Sequence, residues 1–174
     1  MYRVKTFVWE MSLCILLMVG SAVHALAQNN LLQAAFILQF TRQLEWSSQG
    51  KQAGEFIIGV LGTDADITDD LKALEGRMVG QQKIAVKVFA SPTKVTSCHL
   101  LYVPVSKSGL LDEVKNSCAY MLVVAEQPGA YLKGAGISFS QSSGRLNFEI
   151  NTKEIQAKGL KVSSQLLRAA QAKI

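Results

Sequence analysis

The chain has 174 residues, 49% hydrophobic and 18% charged, enough apolar material for the core of one compact domain, with no internal repeat, linker or low-complexity tract. The net charge of +5 is mild and scattered. No Lys/Arg block is interleaved with aromatics, so nucleic acid is excluded as a partner.

Residues 1–27 read apart from the rest. Arg3 and Lys5 precede the apolar run Met11 to Gly20, and Ala25-Leu26-Ala27 matches a small-x-small cleavage site before Gln28. That is the pattern of a secretory signal peptide, with an uncleaved anchor as the competing reading. A spanning helix needs about 20 apolar residues, and Glu10 and His24 bound the run on either side. The expected organisation is a signal peptide over 1–27 and a single α/β domain over 28–174. Cleavage would remove Arg3, Lys5 and Glu10 and lower the net charge by one.

Asn29-Asn30 is expected to cap a helix from about Leu31 to Leu44. In it Leu32, Phe36, Phe40 and Leu44 recur every fourth residue, and Leu31, Ala35 and Leu38 widen the stripe. Trp46 follows at the exit. Aromatics at this spacing read as core rather than as a ligand box. Glu55 to Leu61 reads as a buried strand leading into Gly62-Thr63-Asp64, and Asp66 to Leu74 as a short helix closed by Gly76. Lys83 to Phe89 alternates, with Ile84, Val86 and Val88 on one face. His99 to Val105 is an apolar strand whose exit Pro104 marks, Ser108 to Asn116 a helix, and Tyr120 to Ala125 another apolar strand. Continuous apolar strands separated by helices predict a largely parallel sheet covered on both faces.

Gly136 to Ser140 and Arg145 to Asn151 flank Gln141-Ser142-Ser143-Gly144, which predicts a β-hairpin. Leu146, Phe148 and Ile150 fall on one face; Arg145, Asn147 and Glu149 form a polar row on the other, read either as wet surface or as a partner surface. Asn151 is placed to cap a helix with Glu154 at its third position, Gly159 to stop it, and Ser163 to cap a last helix with Leu166, Leu167 and Ala170 inward. The expected fold is a single-domain α/β sandwich: a largely parallel central sheet, a C-terminal antiparallel hairpin, and helices on both faces.

No catalytic constellation is legible. There is no G-x-S-x-G elbow and no P-loop, and Gly134-Ala135-Gly136 enters a strand rather than the helix that a dinucleotide fingerprint requires. His99 directly follows Cys98, and adjacent strand residues point to opposite faces, so the two do not share a metal. A phospho-receiver needs an aspartate where the third strand stops; this chain has Pro104-Val105-Ser106. Neither an enzyme, a metal nor a cofactor is expected. Cys98 and Cys118 lie at the same end of two strands joined by one crossover, and read either as a disulfide or as two separate buried thiols. Asp64, Asp66, Asp69 and Asp70 are read as loop and helix-start acids. A ligand would favour the carboxyl ends of the strands, which offer Thr63 and Asp64, Ser106 and Lys107, and Glu126 and Gln127.

Several stretches together resemble one family: Ala34-Ala35-Phe36 through Trp46, Phe56-Ile57-Ile58-Gly59-Val60-Leu61-Gly62, Cys98-His99-Leu100-Leu101-Tyr102-Val103, Gly136-Ile137-Ser138-Phe139, Gly144 to Asn151, and Gly159 to Leu167. In that order they are similar to the YfiR-like family. The resemblance implies a periplasmic regulator that binds the periplasmic sensor domain of an inner-membrane diguanylate cyclase and holds it inactive. It also implies redox-sensitive disulfides and a homodimer. The function expected is thus an exported, non-enzymatic regulator of a membrane-bound sensor protein. The competing reading is a periplasmic small-molecule binding module. The candidate partner or ligand surface comprises Asp64, Ser106, Lys107, Arg145, Asn147 and Glu149.

Overall fold

A computed structural model describes residues 28–46, 54–117 and 120–174. The expected signal peptide lies outside the described residues. Helix α1 occupies residues 28–43, with Asn29 and Asn30 inside it rather than ahead of it. Its buried face is turned relative to the expected stripe. Gln33, Ala34, Ile37, Leu38, Phe40 and Thr41 are buried, whereas Leu31 and Leu32 are exposed. The two polar residues tolerate burial because each has an internal partner: the Tyr102 hydroxyl donates to Gln33 Oε1 at 2.8 Å, and Thr41 Oγ1 donates to the Leu38 carbonyl at 2.7 Å. Leu44 has left the helix for strand β1 (Leu44–Glu45), which pairs antiparallel with β9 (Lys161–Val162).

The main sheet holds β2 (Phe56–Leu61), β3 (Met78–Val79), β4 (Gln82–Phe89), β5 (Leu100–Val103), β6 (Leu122–Ala125), β7 (Ile137–Ser142), β8 (Arg145–Ile150) and β10 (Ala172–Lys173). Their order is β10-β8-β7-β6-β5-β2-β4-β3. The run from β4 to β7 is parallel, and β8 returns antiparallel to β7. Helices α2 (Thr68–Lys72), α3 (Leu111–Ser117), α4 (Thr152–Ala157) and α5 (Ser164–Ala169) complete the chain. The alternation of strand side chains divides the interior into two layers. Phe56, Ile58, Val60, Leu100, Tyr102, Leu122 and Val124 face α1, Leu71 of α2, Ile155 of α4 and Leu166 of α5. Ile57, Leu61, Leu101, Val103 and Val123 face Leu111 and Val114 of α3.

Three local expectations change. The hairpin loop is two residues long, because β7 runs on to Ser142; Ser143 (φ 52°) and Gly144 (φ 71°) form the tight turn whose twist suits paired strands. The helix expected from Ser108 begins properly at Leu111, after a 3-10 segment over Val105–Leu110. Near the sheet edge, Val88 is exposed and Phe89 is buried, because Phe89 packs into the α3-side layer beside Gly59.

Unlike the cap expected for α1, the caps of α4 and α5 stand where the sequence places them. Asn151 Oδ1 accepts from Glu154 N–H at 2.9 Å, and Ser163 Oγ accepts from Leu166 N–H at 3.1 Å. Asn151 also donates through Nδ2 to the Tyr131 carbonyl at 2.8 Å, tying α4 to the segment before β7. Asn151→Ala loses both bonds and is expected to cost about 2 kcal/mol. Urea denaturation checks this; a loss of only a few tenths would mean that water replaces both bonds.

Candidate functional site

The crevice between β2 and β5 is where a parallel sheet of this order reverses its winding, and it is the customary ligand site of such sheets. Here it is spanned by an ion pair. Lys107 Nζ lies 3.3 Å from Asp64 Oδ1. The Asp64 carboxyl is held below the usual carboxylate range, first by a backbone N–H bond at Asp64 and then by Lys107. Between them Gly62 adopts φ +93°, and a Cβ there would lie 2.8 Å from both Asp64 Oδ1 and Lys107 Cε. Ser106, next along, is exposed.

The polar row of the hairpin divides. Arg145 is exposed near the turn, and Asn147 Nδ2 donates to the Arg145 carbonyl at 3.1 Å. Glu149 instead turns to the neighbouring loop: its Oε2 accepts from Gly129 N–H and from Ser138 Oγ, both at 3.0 Å. The six candidate residues therefore do not form one site. Asp64, Ser106 and Lys107 sit at the β2/β5 crevice, Arg145 and Asn147 at the hairpin, and Glu149 elsewhere.

Glu149 meets a residue from the other group of strand ends. Together with Glu126, which follows β6, it lines a cleft of about 450 Å³ between α1 and the hairpin, walled by Gln33, Val105, Phe139 and Leu146. Glu126 Oε2 accepts from Val105 N–H at 2.8 Å. Beside this cleft Tyr102 is fully buried, and burial first, then the nearby Glu126 charge, pushes its hydroxyl well above the ordinary phenol value. The neutral phenol is therefore the folded form. Its contribution to stability is complete below the ordinary phenol value of about 10 and is lost as pH rises beyond it, because only the unfolded chain ionises there. Unfolding midpoints are expected to decline above pH 10, with the decline reduced in Tyr102→Phe; an equal decline in both would reject the assignment.

Sequence reasoning missed Gln33 and Tyr102 as cleft neighbours. The signal available was a glutamine inside an apolar helical stripe. His99 is buried; its Nδ1 accepts from Ile57 N–H at 3.0 Å, and its ring stacks on Phe56 at 4.5 Å. That arrangement makes it a packing residue of the β2/β5 join. Cys98 is buried with Sγ 3.2 Å from Met121 Sδ. Cys118, and with it the expected Cys98–Cys118 pairing, lies outside the described residues. Among the described residues no group of three or more His, Cys, Asp or Glu side chains is arranged to hold a metal, and no helix is long and apolar enough to cross a membrane.

The model of the YfiR/HmsC-like family matches residues 30–171. The chain belongs to that family. The match takes in every strand of the main sheet except β10, and so covers both the β2/β5 crevice and the carboxylates of the cleft. Among solved structures the chain is similar to a conserved domain protein from Vibrio cholerae, at 13% identity and a TM-score of 0.48. That likeness covers 68% of this chain, which spans 55% of the Vibrio protein. No curated protein matches.

Proposed function

We propose that this YfiR/HmsC-like protein is an exported, non-enzymatic regulator. It represses or tunes an inner-membrane signalling protein, a diguanylate cyclase, by contact in the periplasm. The observation that carries this reading is the family match over residues 30–171. The sequence pattern of residues 1–27 supports export. Of the six candidate residues, Ser106, Arg145 and Asn147 are the ones whose side chains the rest of the fold does not tie up, since Asp64 and Lys107 engage each other and Glu149 anchors a loop; Arg145 and Asn147 lie together on the hairpin and are the proposed contact. A homodimer and a Cys98–Cys118 bond belong to the same reading.

Deleting the gene is expected to raise cyclic-di-GMP, and the tagged protein to recover the cyclase from detergent-solubilised membranes. Arg145→Glu should abolish that recovery with little effect on stability, since Arg145 is exposed at a turn. Recovery of no membrane sensor, with cyclic-di-GMP unchanged on deletion, would sink the proposal.

A further inference from the structure

One edge of the main sheet is only partly closed. Strand β8 pairs with β7 over all 6 of its residues, but on its other side β10 meets only Glu149 and Ile150. Arg145, Leu146 and Asn147 therefore have no outer strand partner among the described residues. In an antiparallel strand alternate residues turn both N–H and C=O to the same side. Phe148 and Ile150 turn theirs outward, since their carbonyls accept from Gln171 N–H at 2.9 Å and from Ile174 N–H at 3.1 Å. Leu146 is the next in that series, and it offers its N–H and C=O at the open part of the edge.

Residues 171–174 close the rest as a strap held by hydrogen bonds and not by burial. Besides the two bonds to β8, the Ile174 backbone oxygen accepts from Thr152 N–H at 2.8 Å and from Thr152 Oγ1 at 2.6 Å, and Ser140 Oγ donates to Gln171 Oε1 at 3.1 Å. Gln171, Lys173 and Ile174 are exposed, and only Ala172 is half-buried. At the opposite edge, by contrast, β3 is joined to β4 through Gly80-Gln81 and buries Val79. Segments with few buried apolar contacts are those that open locally while the domain stays folded.

We propose that this strap is displaceable, and that the edge beneath it takes an extended, acidic segment of the partner protein as an added strand. Charge selects the occupant. Across residues 140–174 every exposed charged side chain is basic, namely Arg145, Lys153, Lys161, Arg168 and Lys173, whereas Glu149 and Glu154 are half-buried. Lys161 faces Glu45 at 3.7 Å; the other four are in no ion pair among the described residues. A second copy of this chain would bring the same charges to the same edge, the arrangement by which natural sheets keep like edges apart. In strand addition the ladder bonds supply affinity and the side chains set the choice of partner. The inference rests on the reading of Arg145 and Asn147 as the partner contact and gives that contact its geometry, since both lie on the open half of β8.

The test is fluorescence anisotropy with a labelled peptide of about six alternating valine and aspartate residues, the length of an ordinary strand. Its controls carry lysine in place of aspartate, or a central proline that removes a ladder donor. The variant truncated after Ala170 is expected to bind the acidic peptide saturably, and the full chain about tenfold more weakly because its strap must open first. Neither should bind the controls. Gln171→Pro removes the Gln171 bonds to Phe148 and Ser140, next to an Ala170 that is already extended (φ −69°, ψ 137°), and should also strengthen binding. In the full chain the Gln171 and Ile174 amides should exchange hydrogen through local opening, at rates that low urea leaves unchanged. Equal affinity with and without the strap, equal binding of the lysine peptide, no binding by either variant, or strap amides that exchange only on global unfolding overturns the proposal. The cyclase reading fails separately: it falls if gene deletion leaves cyclic-di-GMP unchanged, and it stands if the cyclase is recovered while the peptide binds nothing.

Discussion

Phe40→Ala is expected to destabilise the protein by about 3–5 kcal/mol, a large share of the roughly 5–15 kcal/mol that holds an ordinary domain together. Phe40 is fully buried, and its ring centroid lies 5.0 Å from Phe148, 6.0 Å from Phe139 and 6.1 Å from Phe36. With Phe36, whose ring lies 6.3 Å from Phe139 and 5.5 Å from Phe148, it is one of the two rings by which α1 grips both strands of the hairpin, and the fully buried one. Truncation removes the buried ring and leaves a cavity between a helix and a sheet, neither of which can close far without breaking its other contacts. Urea denaturation should show a lower midpoint with an unchanged slope, and Phe40→Leu should recover part of the loss. A cost below about 1.5 kcal/mol would mean that the aromatic cluster collapses around the gap and is not the principal tie between α1 and the hairpin.

Gly59→Ala is the second large effect, and here the mechanism is overpacking. Gly59 lies in the middle of β2 on the α3 side, and a Cβ there would fall 2.8 Å from Leu101 Cδ1, 2.9 Å from Phe89 Cε2 and 3.1 Å from Cys98 Sγ. Three side chains from three neighbouring segments would have to move at once, at a cost of about 1–3 kcal/mol. Gly109→Ala, where a Cβ meets nothing within 4 Å, serves as the control and should be close to neutral. Shortening the nearest neighbour, as in Gly59→Ala with Leu101→Val, should cost less than the sum of the two single changes, because the pair share one space. Strict additivity would show that the clash is relieved elsewhere.

Much of the architecture was legible in the chain because it rests on short-range rules. The continuous apolar runs of β2, β5 and β6 predicted strands buried on both faces, and the parallel sheet follows. Asn151 and Ser163 were recognisable caps because a cap and the N–H it receives are three residues apart. The hairpin was legible from alternation, although its turn is tighter than the loop expected, since Ser143 takes a positive φ without being glycine. The helical stripe of α1 was harder. Its apolar residues occupy two overlapping arcs, and which arc is buried depends on whether Gln33 finds a partner inside.

That partner is Tyr102, 69 residues away, and no local pattern announces the pairing. The same holds for the two carboxylates. Glu126 was readable as a strand-end residue and Glu149 as part of a polar row, but their meeting in one cleft depends on β7 lying beside β6 in the sheet, with β8 next beyond it. The crevice at β2 and β5 shows the reverse: Asp64 and Lys107 were both readable as ligand candidates, and the fold spends them on each other. Secondary structure, caps and family membership were thus carried by residue identity and spacing, whose physics acts over a turn of helix or a few positions of strand. Which polar groups beyond the caps are satisfied within the protein and which face open space was decided by the strand order and by the packing of α1 on the sheet, because hydrogen bonds and charges act between whatever residues the folded chain brings within a few ångströms.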